Sequence, residues 1–327
     1  MMNLLKNEWI KIFAKKSSWI YFILIALFIT IAAVGTAYFE SLDDGTNTNA
    51  DWKQTLEQEN ASLAKDLEDP NIPDEEKESI SGSIAQNQYY LDNDVNPNQR
   101  SNWQFANSAG IGLTSFVALF SVIIASANVA SEFSDGTIKQ LLIRPHRRWK
   151  ILLSKYIAAV VYSLLLLLFL TGASILAGTF LYGAGDFGAK IAEIPMTFDA
   201  AAEPVIGSAG GIFFKKILLY IPNLIVVTTI AFMLSTLFKS QAMAVGIGIF
   251  VLFMNDVLSS AVQLLITLEQ EWAKLLLFPH LNLMQYAAAD EILPGVTLTY
   301  SSIVMLVYYL IFMAITFFFF QRKDVSI

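Results

Sequence analysis

EFSDGTIKQLLIRPHRRWKILLSK, residues 132–155, is a polar stretch between two apolar segments of membrane-spanning length. It contains six Lys or Arg residues and two acidic residues. Loops beside membrane spans keep their positive charge on the cytoplasmic side, so we expect this stretch to lie there.

The same stretch predicts a short amphipathic helix. Ser134–Thr137 offers N-cap chemistry, and Ile138, Leu141 and Leu142 follow at helical spacing on one face. Pro145 then stops the helix. A short, one-sided helix held between two spans suits docking into a groove on a soluble partner.

Composition indicates a membrane protein with little scope for catalysis. Hydrophobic residues make up 55% of the chain, charged residues make up 15%, and the mean hydropathy is +0.53, which is too apolar for a soluble protein of this length. Cysteine is absent, which excludes disulfides, thiolate metal sites and cysteine nucleophiles. With two histidines, a His-rich metal site is also excluded, and we expect no catalytic, metal or cofactor site in this chain.

The apolar segments predict an all-α polytopic fold with six transmembrane helices. The predicted spans are about 19–38, 111–130, 151–182, 217–238, a segment starting near 241, and 300–320. The third is longer than a bilayer needs, so we expect it to begin as a cytoplasmic stem carrying Lys155. With both termini cytoplasmic, the cytoplasmic pieces collect 13 of the 21 Lys and Arg residues but 4 of the 28 acids.

The predicted organisation has four parts: an interfacial amphipathic helix (1–17), span 1 (18–38), an extracytoplasmic acidic insertion (39–108), and spans 2–6 with the 132–155 segment (109–327). The insertion holds fifteen acids and four basic residues, and its composition predicts a helical hairpin. It is either a lid facing a substrate or partner, or a solvated insertion without a role of its own.

The region before the last span predicts a pair of short outer half-helices. Val257–Ile266 is apolar but too short to cross a membrane alone, and the segment Trp272–Ala289 is broken by Pro279. Such half-helices are tolerated at membrane depth where they pack against protein.

Gly183–Gly188 reads G-x-G-x-x-G, the pattern of a dinucleotide-binding turn. We do not interpret it as a nucleotide site, because it does not lie between a strand and a helix of a βαβ unit. The sequence also contains no Walker A motif.

The 132–155 segment resembles the permease subunits of the ABC-2 type transporter family, which are bacterial exporters powered by a separate ATPase. The residues that carry the resemblance follow one spaced motif: Glu132, Gly136, Thr137, Leu141, Leu142, Pro145, Arg148 and Lys155. The basic N-terminal helix, the Leu234–Thr236 element and the paired outer half-helices support it. The outer insertion is an addition relative to the shortest family members.

The resemblance implies a permease in a bacterial cell membrane, with a coupling helix in the 132–155 segment that binds an ABC ATP-binding subunit. Two permease subunits, identical or different, would enclose one pathway, lipid would surround them, and nucleic acid has no part. The chain would be no enzyme, because ATP would be bound and used by the partner.

The resemblance also implies residue roles. Ile138, Leu141 and Leu142 would pack into the ATPase groove, and Glu132 would pair with a basic residue such as Lys155. Three arginines would engage acids at the groove's rim or lipid phosphates, although they could also serve as topology anchors alone: Arg144, Arg147 and Arg148.

Three other functions compete with this interpretation. A secondary transporter needs ionisable groups within the membrane, for which Asp256 is the one candidate. An intramembrane hydrolase would need partners for His280 or His146, and none can be assigned. A membrane scaffold or sensor, with an acidic outer ligand-binding domain and a basic recruiting loop, predicts the same topology. It differs in whether the recruited protein is an ATPase.

Overall fold

The computed structural model describes residues 1–42, 52–69, 72–97, 99–137, 147–194 and 204–322. Among these residues, six helices are long and apolar enough to cross a membrane. With helices numbered in chain order, they are α2 (Lys16–Leu42), α6 (Thr114–Ser134), α7 (Arg148–Tyr182), α8 (Ala209–Leu237), α9 (Gln241–Thr267) and α10 (Leu298–Arg322). The chain is therefore a helical, multi-pass membrane protein.

Helix α1 (Met2–Ala14) precedes the first span and is separated from it by one extended residue, Lys15. The chain bends there, because the Ser18 hydroxyl donates to the Ile12 carbonyl at 2.6 Å. Tyr162 of α7 donates its own hydroxyl to the Ser18 carbonyl at 2.7 Å. The bend is therefore fixed both locally and by a neighbouring span, so that α1 has a defined direction relative to α7.

The acidic insertion contains α3 (Trp52–Leu67) and α4 (Asp74–Asp92), the two helices of the predicted hairpin. They pack on each other through a small cluster of Leu56, Tyr90 and Val95. The Tyr89 hydroxyl donates to the Pro204 carbonyl at 2.5 Å, which attaches α4 to the connection before α8. The short helix α5 (Asn102–Phe105) and a π-helical turn (Ala106–Gly110) then lead into α6.

Helix α6 is the most enclosed of these spans and packs against α7, α8 and α9. It has a close polar contact with α8, since the buried Ser235 hydroxyl oxygen accepts from the backbone N–H groups of Val129 and Ala130, at 2.8 and 2.9 Å. Ser235 belongs to the Leu234–Thr236 element. Because bulky side chains do not separate the two backbones here, α6 and α8 are held at a fixed crossing.

The connection between α7 and α8 contains the Gly183–Gly188 pattern. Gly183 has φ +78°, in the left-handed region, and ends α7. Two antiparallel strands follow, β1 (Lys190–Glu193) and β2 (Val205–Ser208). An antiparallel hairpin is not the βαβ unit that a dinucleotide needs, which agrees with the rejection of a nucleotide site.

The prediction of paired outer half-helices is wrong for its first member. Val257–Ile266 continues α9 without interruption, because the sequence has neither Gly nor Pro between Gly248 and Thr267 to break the helix. Glu269, at φ +61°, reverses the chain after α9.

The second predicted half-helix is a run of short 3₁₀ turns. Pro279 lies at the start of one of them. The turns lead to a two-stranded ribbon and α10, and their bounds are Glu271–Leu275, Phe278–Leu281 and Leu283–Ala287, followed by β3 (Glu291–Leu293) and β4 (Val296–Thr297).

A glycine pair on α7 tests the packing of this end of the bundle. A Cβ atom added to Gly178 would lie 2.8 Å from the Asn102 carbonyl oxygen of α5, whereas one added to Gly172 meets no atom within 4 Å. We expect Gly178→Ala to lower the free energy of unfolding by about 1–3 kcal/mol, as over-packing against backbone does, and Gly172→Ala to leave it nearly unchanged. Thermal unfolding in detergent measures both, and equal melting temperatures would contradict the packing described.

Candidate functional site

Four charged side chains from three helices meet where α6 ends and α7 begins; we call Glu8, Lys11, Glu132 and Lys155 the charge quartet. The Lys155 amine lies 2.9 Å from Glu8 Oε2 and 2.6 Å from Glu132 Oε1. The Lys11 amine lies 3.3 Å from Glu8 Oε1 and 3.0 Å from Glu132 Oε1. Each carboxylate therefore bridges two ammonium groups, and the expected Glu132–Lys155 ion pair is present.

Burial distinguishes the members of the quartet. The side chain of Lys155 is 1% exposed and that of Glu8 is 6% exposed, whereas Lys11 is 41% exposed. A buried ion is stabilised by partners of opposite charge, because moving it out of water is costly. Two acids and two bases make the cluster neutral, so its buried charges compensate one another.

The helices that carry the quartet determine where its side chains lie. Glu132 lies in the last turn of α6 and Lys155 two turns into α7, so both ends of the connecting segment are joined through one ion pair. The Asn128 side-chain amide also donates to the Lys155 carbonyl, at 3.2 Å. Glu8 and Lys11, three residues apart, share one face of α1. The quartet thus ties α1 to α6 and α7.

Electrostatics at Lys11 follow from its two acidic neighbours. Partial burial by itself lowers the pKa of Lys11, but the negative charges and hydrogen bonds of Glu132 and Glu8 outweigh it. The pKa of Lys11 is therefore raised above the usual lysine value, and the quartet keeps this positive charge at neutral pH.

A cavity of about 690 Å³ opens beside the quartet, and Ile12, Tyr21, Ile123 and Ile124 are among its apolar lining residues. Glu132 Oε2 is buried and has no hydrogen-bond partner among the described residues, although Oε1 of the same group has two. The cavity is lined by the quartet together with polar residues of α6 and its neighbours: Asn128, Ser131, Asp135, Thr137 and Gln241. Glu132 Oε2 can therefore accept a hydrogen bond within this cavity.

The remaining predicted site residues divide into two groups. Gly136 has φ +68° and follows the end of α6, while the Thr137 hydroxyl donates to the Glu132 carbonyl at 3.4 Å. Arg147 precedes α7, and Arg148 begins it and donates to the Gln321 carbonyl at 3.3 Å. The other residues of the predicted coupling helix lie outside the described residues: Ile138, Leu141, Leu142, Arg144, Pro145 and His146.

The stretch Ser134–Thr137, predicted to offer N-cap chemistry, begins at the end of α6, and the helix that it would cap lies outside the described residues. Ser134 is the last residue of α6, whose apolar pattern runs to Phe133, and the left-handed Gly136 then ends that helix. The Ser134 hydroxyl donates to the Ala130 carbonyl at 3.0 Å and accepts from the Gln241 N–H at 3.1 Å. It therefore joins the end of α6 to the start of α9.

Sequence reasoning missed the contributions of Glu8 and Lys11. The available signal was the position of Glu8, the one acid in a basic helix, one turn from Ile12 on the helical face that becomes buried. An acid on the apolar face of an amphipathic helix needs a partner when that face packs on protein. The sequence offered no means of choosing which distant lysine supplies it.

His280 is a structural group. Its Nε2 lies 2.8 Å from the Lys274 carbonyl, so Nε2 donates, and its Nδ1 lies 2.8 Å from the Ser301 hydroxyl. Burial lowers the pKa of His280, against the smaller opposing effect of the Lys274 carbonyl. Both ring nitrogens are thus used to hold the 3₁₀ turns against α10. In the described ranges, no cluster of three or more His, Cys, Asp or Glu residues could hold a metal ion.

The charge quartet predicts that the stability of the fold depends strongly on Lys155. Lys155→Met leaves two buried carboxylates facing one ammonium group, and we expect it to lower the free energy of unfolding by about 3–5 kcal/mol. The double variant Glu8→Gln/Lys155→Met restores neutrality and should recover part of this loss, whereas Lys15→Met, at an exposed position, should have little effect. Melting temperatures in detergent test this, and a double variant no more stable than Lys155→Met would contradict charge pairing.

The raised pKa of Lys11 predicts how the stabilising effect of this residue changes with pH. Since its pKa is raised on folding, its stabilising effect is complete below the unfolded-state pKa and is lost as pH rises through the folded-state pKa. The difference in melting temperature between the wild type and Lys11→Met should be constant from about pH 7 to 9 and shrink above about pH 10.4. A Lys11 difference that grows with pH would contradict the pairing.

Known proteins are similar in sequence to this chain along much of its length. Residues 78–326 match the family described as Protein of unknown function (DUF2705). An uncharacterized protein of Bacillus subtilis (strain 168), YhcI, is 32% identical over 100% of both chains. An uncharacterized membrane protein of the same organism, YdbK, is 30% identical over 63% of this chain and 76% of its own length. Because the family match covers more than half of the sequence, the chain belongs to the DUF2705 family.

Proposed function

We propose that this chain is the permease subunit of an ABC exporter, coupled through the 132–155 segment to a separate ATP-binding subunit. The observation that carries the proposal is the charge quartet. It clamps both ends of a basic connection, at Glu132 and Lys155, and ties them to α1. A segment that receives force from a partner needs such a rigid mount, because a loose loop would absorb the motion.

The proposed mechanism has three steps. Closure of the ATPase pushes the 138–146 segment, in which Ile138, Leu141 and Leu142 pack into its groove. The clamped ends of α6 and α7 then move together, since the buried Glu132–Lys155 pair is costly to separate. The Ser235 contact passes the movement from α6 to α8. ATP is bound by the partner in this scheme, and the chain itself performs no chemistry.

The proposed setting is a bacterial cell membrane, with both termini and the 132–155 segment on the cytoplasmic side. The segregation of Lys and Arg to that side supports this orientation. A second permease subunit, identical or different, would complete the pathway, because α9 and α10 expose large parts of their surfaces.

Co-purification tests the proposal. The chain is co-expressed with a candidate ABC ATP-binding subunit from the same organism, extracted in detergent, and compared with a variant carrying Leu141→Asp and Leu142→Asp. We expect the wild type to retain the ATPase and stimulate its ATP turnover, and the variant to lose both, because two carboxylates cannot enter an apolar groove without partners.

A matched control uses the opposite end of the molecule. Leu268→Asp and Leu275→Asp change two exposed leucines there, so this variant should keep the ATPase. Loss of the ATPase in both double variants would point to general damage, which monodispersity in detergent checks. If the wild type retains no ATPase, or if Leu141→Asp/Leu142→Asp retains it fully, the exporter proposal fails and the scaffold or sensor function takes its place.

A further inference from the structure

A stripe of polar residues runs along the second half of α9. Asp256, Ser260, Gln263 and Thr267 are spaced by four, three and four residues, which places them on one helical face. Three of them are exposed and Gln263 is half-buried. This arrangement is unexpected on a helix that is apolar enough to cross a membrane.

The depth of Asp256 makes contact with lipid costly. Asp256 lies about 22 Å along α9 from its first residue, within the roughly 30 Å thickness of a hydrocarbon core. Its carboxylate has a weak contact with the Asn255 amide, at 3.4 Å, and forms no ion pair within the described part of the chain. An ionisable group at this depth faces water or protein far more often than lipid.

A second exposed face of α9 is apolar and adjoins the stripe. Phe253, Val257 and Leu264 are 65%, 57% and 62% exposed. Val257 lies about a quarter turn from the centre of the stripe, whereas Phe253 and Leu264 lie closer to it, on the side of Ser260. A molecule lying along α9 would therefore meet one negative charge, several hydrogen-bonding groups and an apolar surface side by side. That combination suits a cation with an apolar body.

We propose that the polar stripe lines a water-filled pathway and that Asp256 binds the positively charged group of an amphiphile moving through it. The transport role of this stripe rests on the proposed function. Its exposure to water can be tested independently of that function. The charge of the acidic insertion supports the choice of ligand, because fifteen acids against four basic residues attract cations to the end of the protein where this half of α9 lies.

Thiol labelling tests the proposal. The sequence contains no cysteine, so an introduced cysteine supplies the thiol that is labelled. Ser260→Cys reports on the stripe, and Val257→Cys reports on the apolar face at nearly the same depth. Both are expressed without added ATPase, in right-side-out and inverted membrane vesicles. Each is treated with a cationic reagent, trimethylammonioethyl methanethiosulfonate, and an anionic reagent, sulfonatoethyl methanethiosulfonate. Thiols ionise and react where water reaches them, so labelling rates measure hydration.

We expect Ser260→Cys to react at least about tenfold faster than Val257→Cys, because a thiol in lipid stays protonated. We also expect Ser260→Cys to prefer the cationic reagent about tenfold beyond the ratio of the two reagents' rates with a free thiol in solution, since one carboxylate lies about 6 Å away. Adding Asp256→Asn should remove that preference while leaving fast labelling in place. The substitution keeps the shape of the side chain, so a folding defect is not expected, and monodispersity checks it.

Other outcomes overturn the proposal. Equal, slow labelling of both cysteines would mean that lipid or protein covers the stripe. Fast labelling without charge preference would remove Asp256 as the cation-binding group. A Ser260→Cys disulfide between two copies that blocks labelling would mean that the stripe is a subunit contact. None of these results depends on the ATPase, so failure here is distinct from failure of co-purification.

Discussion

The side chain of Lys155 is buried, and two carboxylates take the place of water around its ammonium group. Those carboxylates come from different helices, Glu8 of α1 and Glu132 of α6. A charge of this kind imposes a geometric requirement, since its partners must approach within about 3 Å together. The N-terminal helix, the end of α6 and the start of α7 are therefore positioned as a unit.

The rest of the bundle extends this unit through polar contacts between backbones. The Tyr162 hydroxyl fixes the bend between α1 and α2, and Ser235 fixes the crossing of α6 with α8. Apolar packing alone positions helices weakly in lipid, because lipid tails are as apolar as leucine side chains. Short hydrogen bonds at a few sites select one arrangement among many with similar packing. The long apolar surfaces of α9 and α10 carry few such contacts and remain open.

Much of the fold could be predicted from composition and periodicity. Membrane spans are recognised by their length and apolar composition. The helices of the insertion are recognised by their helix-forming composition between prolines. The end of α9 could not be predicted from the sequence. Asn and Asp are frequent where helices end, so the Asn255–Asp256 pair suggested that the helix ends there. In the structure, the pair lies within a continuous helix that runs to Thr267.

The site was predictable in part. Glu132 and Lys155 flank the same basic segment, so opposite charge and proximity along the chain indicated their pairing. Glu8 lies 147 residues from Lys155, and sequence periodicity carries no information about such distant contacts. The 132–155 segment carries the strongest motif, yet its proposed role depends on a surface that belongs to another protein. The sequence and structure of one chain describe its own side of such an interface.

The length of α7 gives this arrangement a mechanical property. At 35 residues, the helix is about 50 Å long, compared with a hydrocarbon core of roughly 30 Å. Its first turns therefore stand beyond the core as a continuous rod that carries Lys155. A rod of this length acts as a lever arm, so tilting it by about 10° displaces one tip by roughly 9 Å relative to the other. Gly178 and Asn102 meet near its far end, where close backbone contact makes a natural fulcrum.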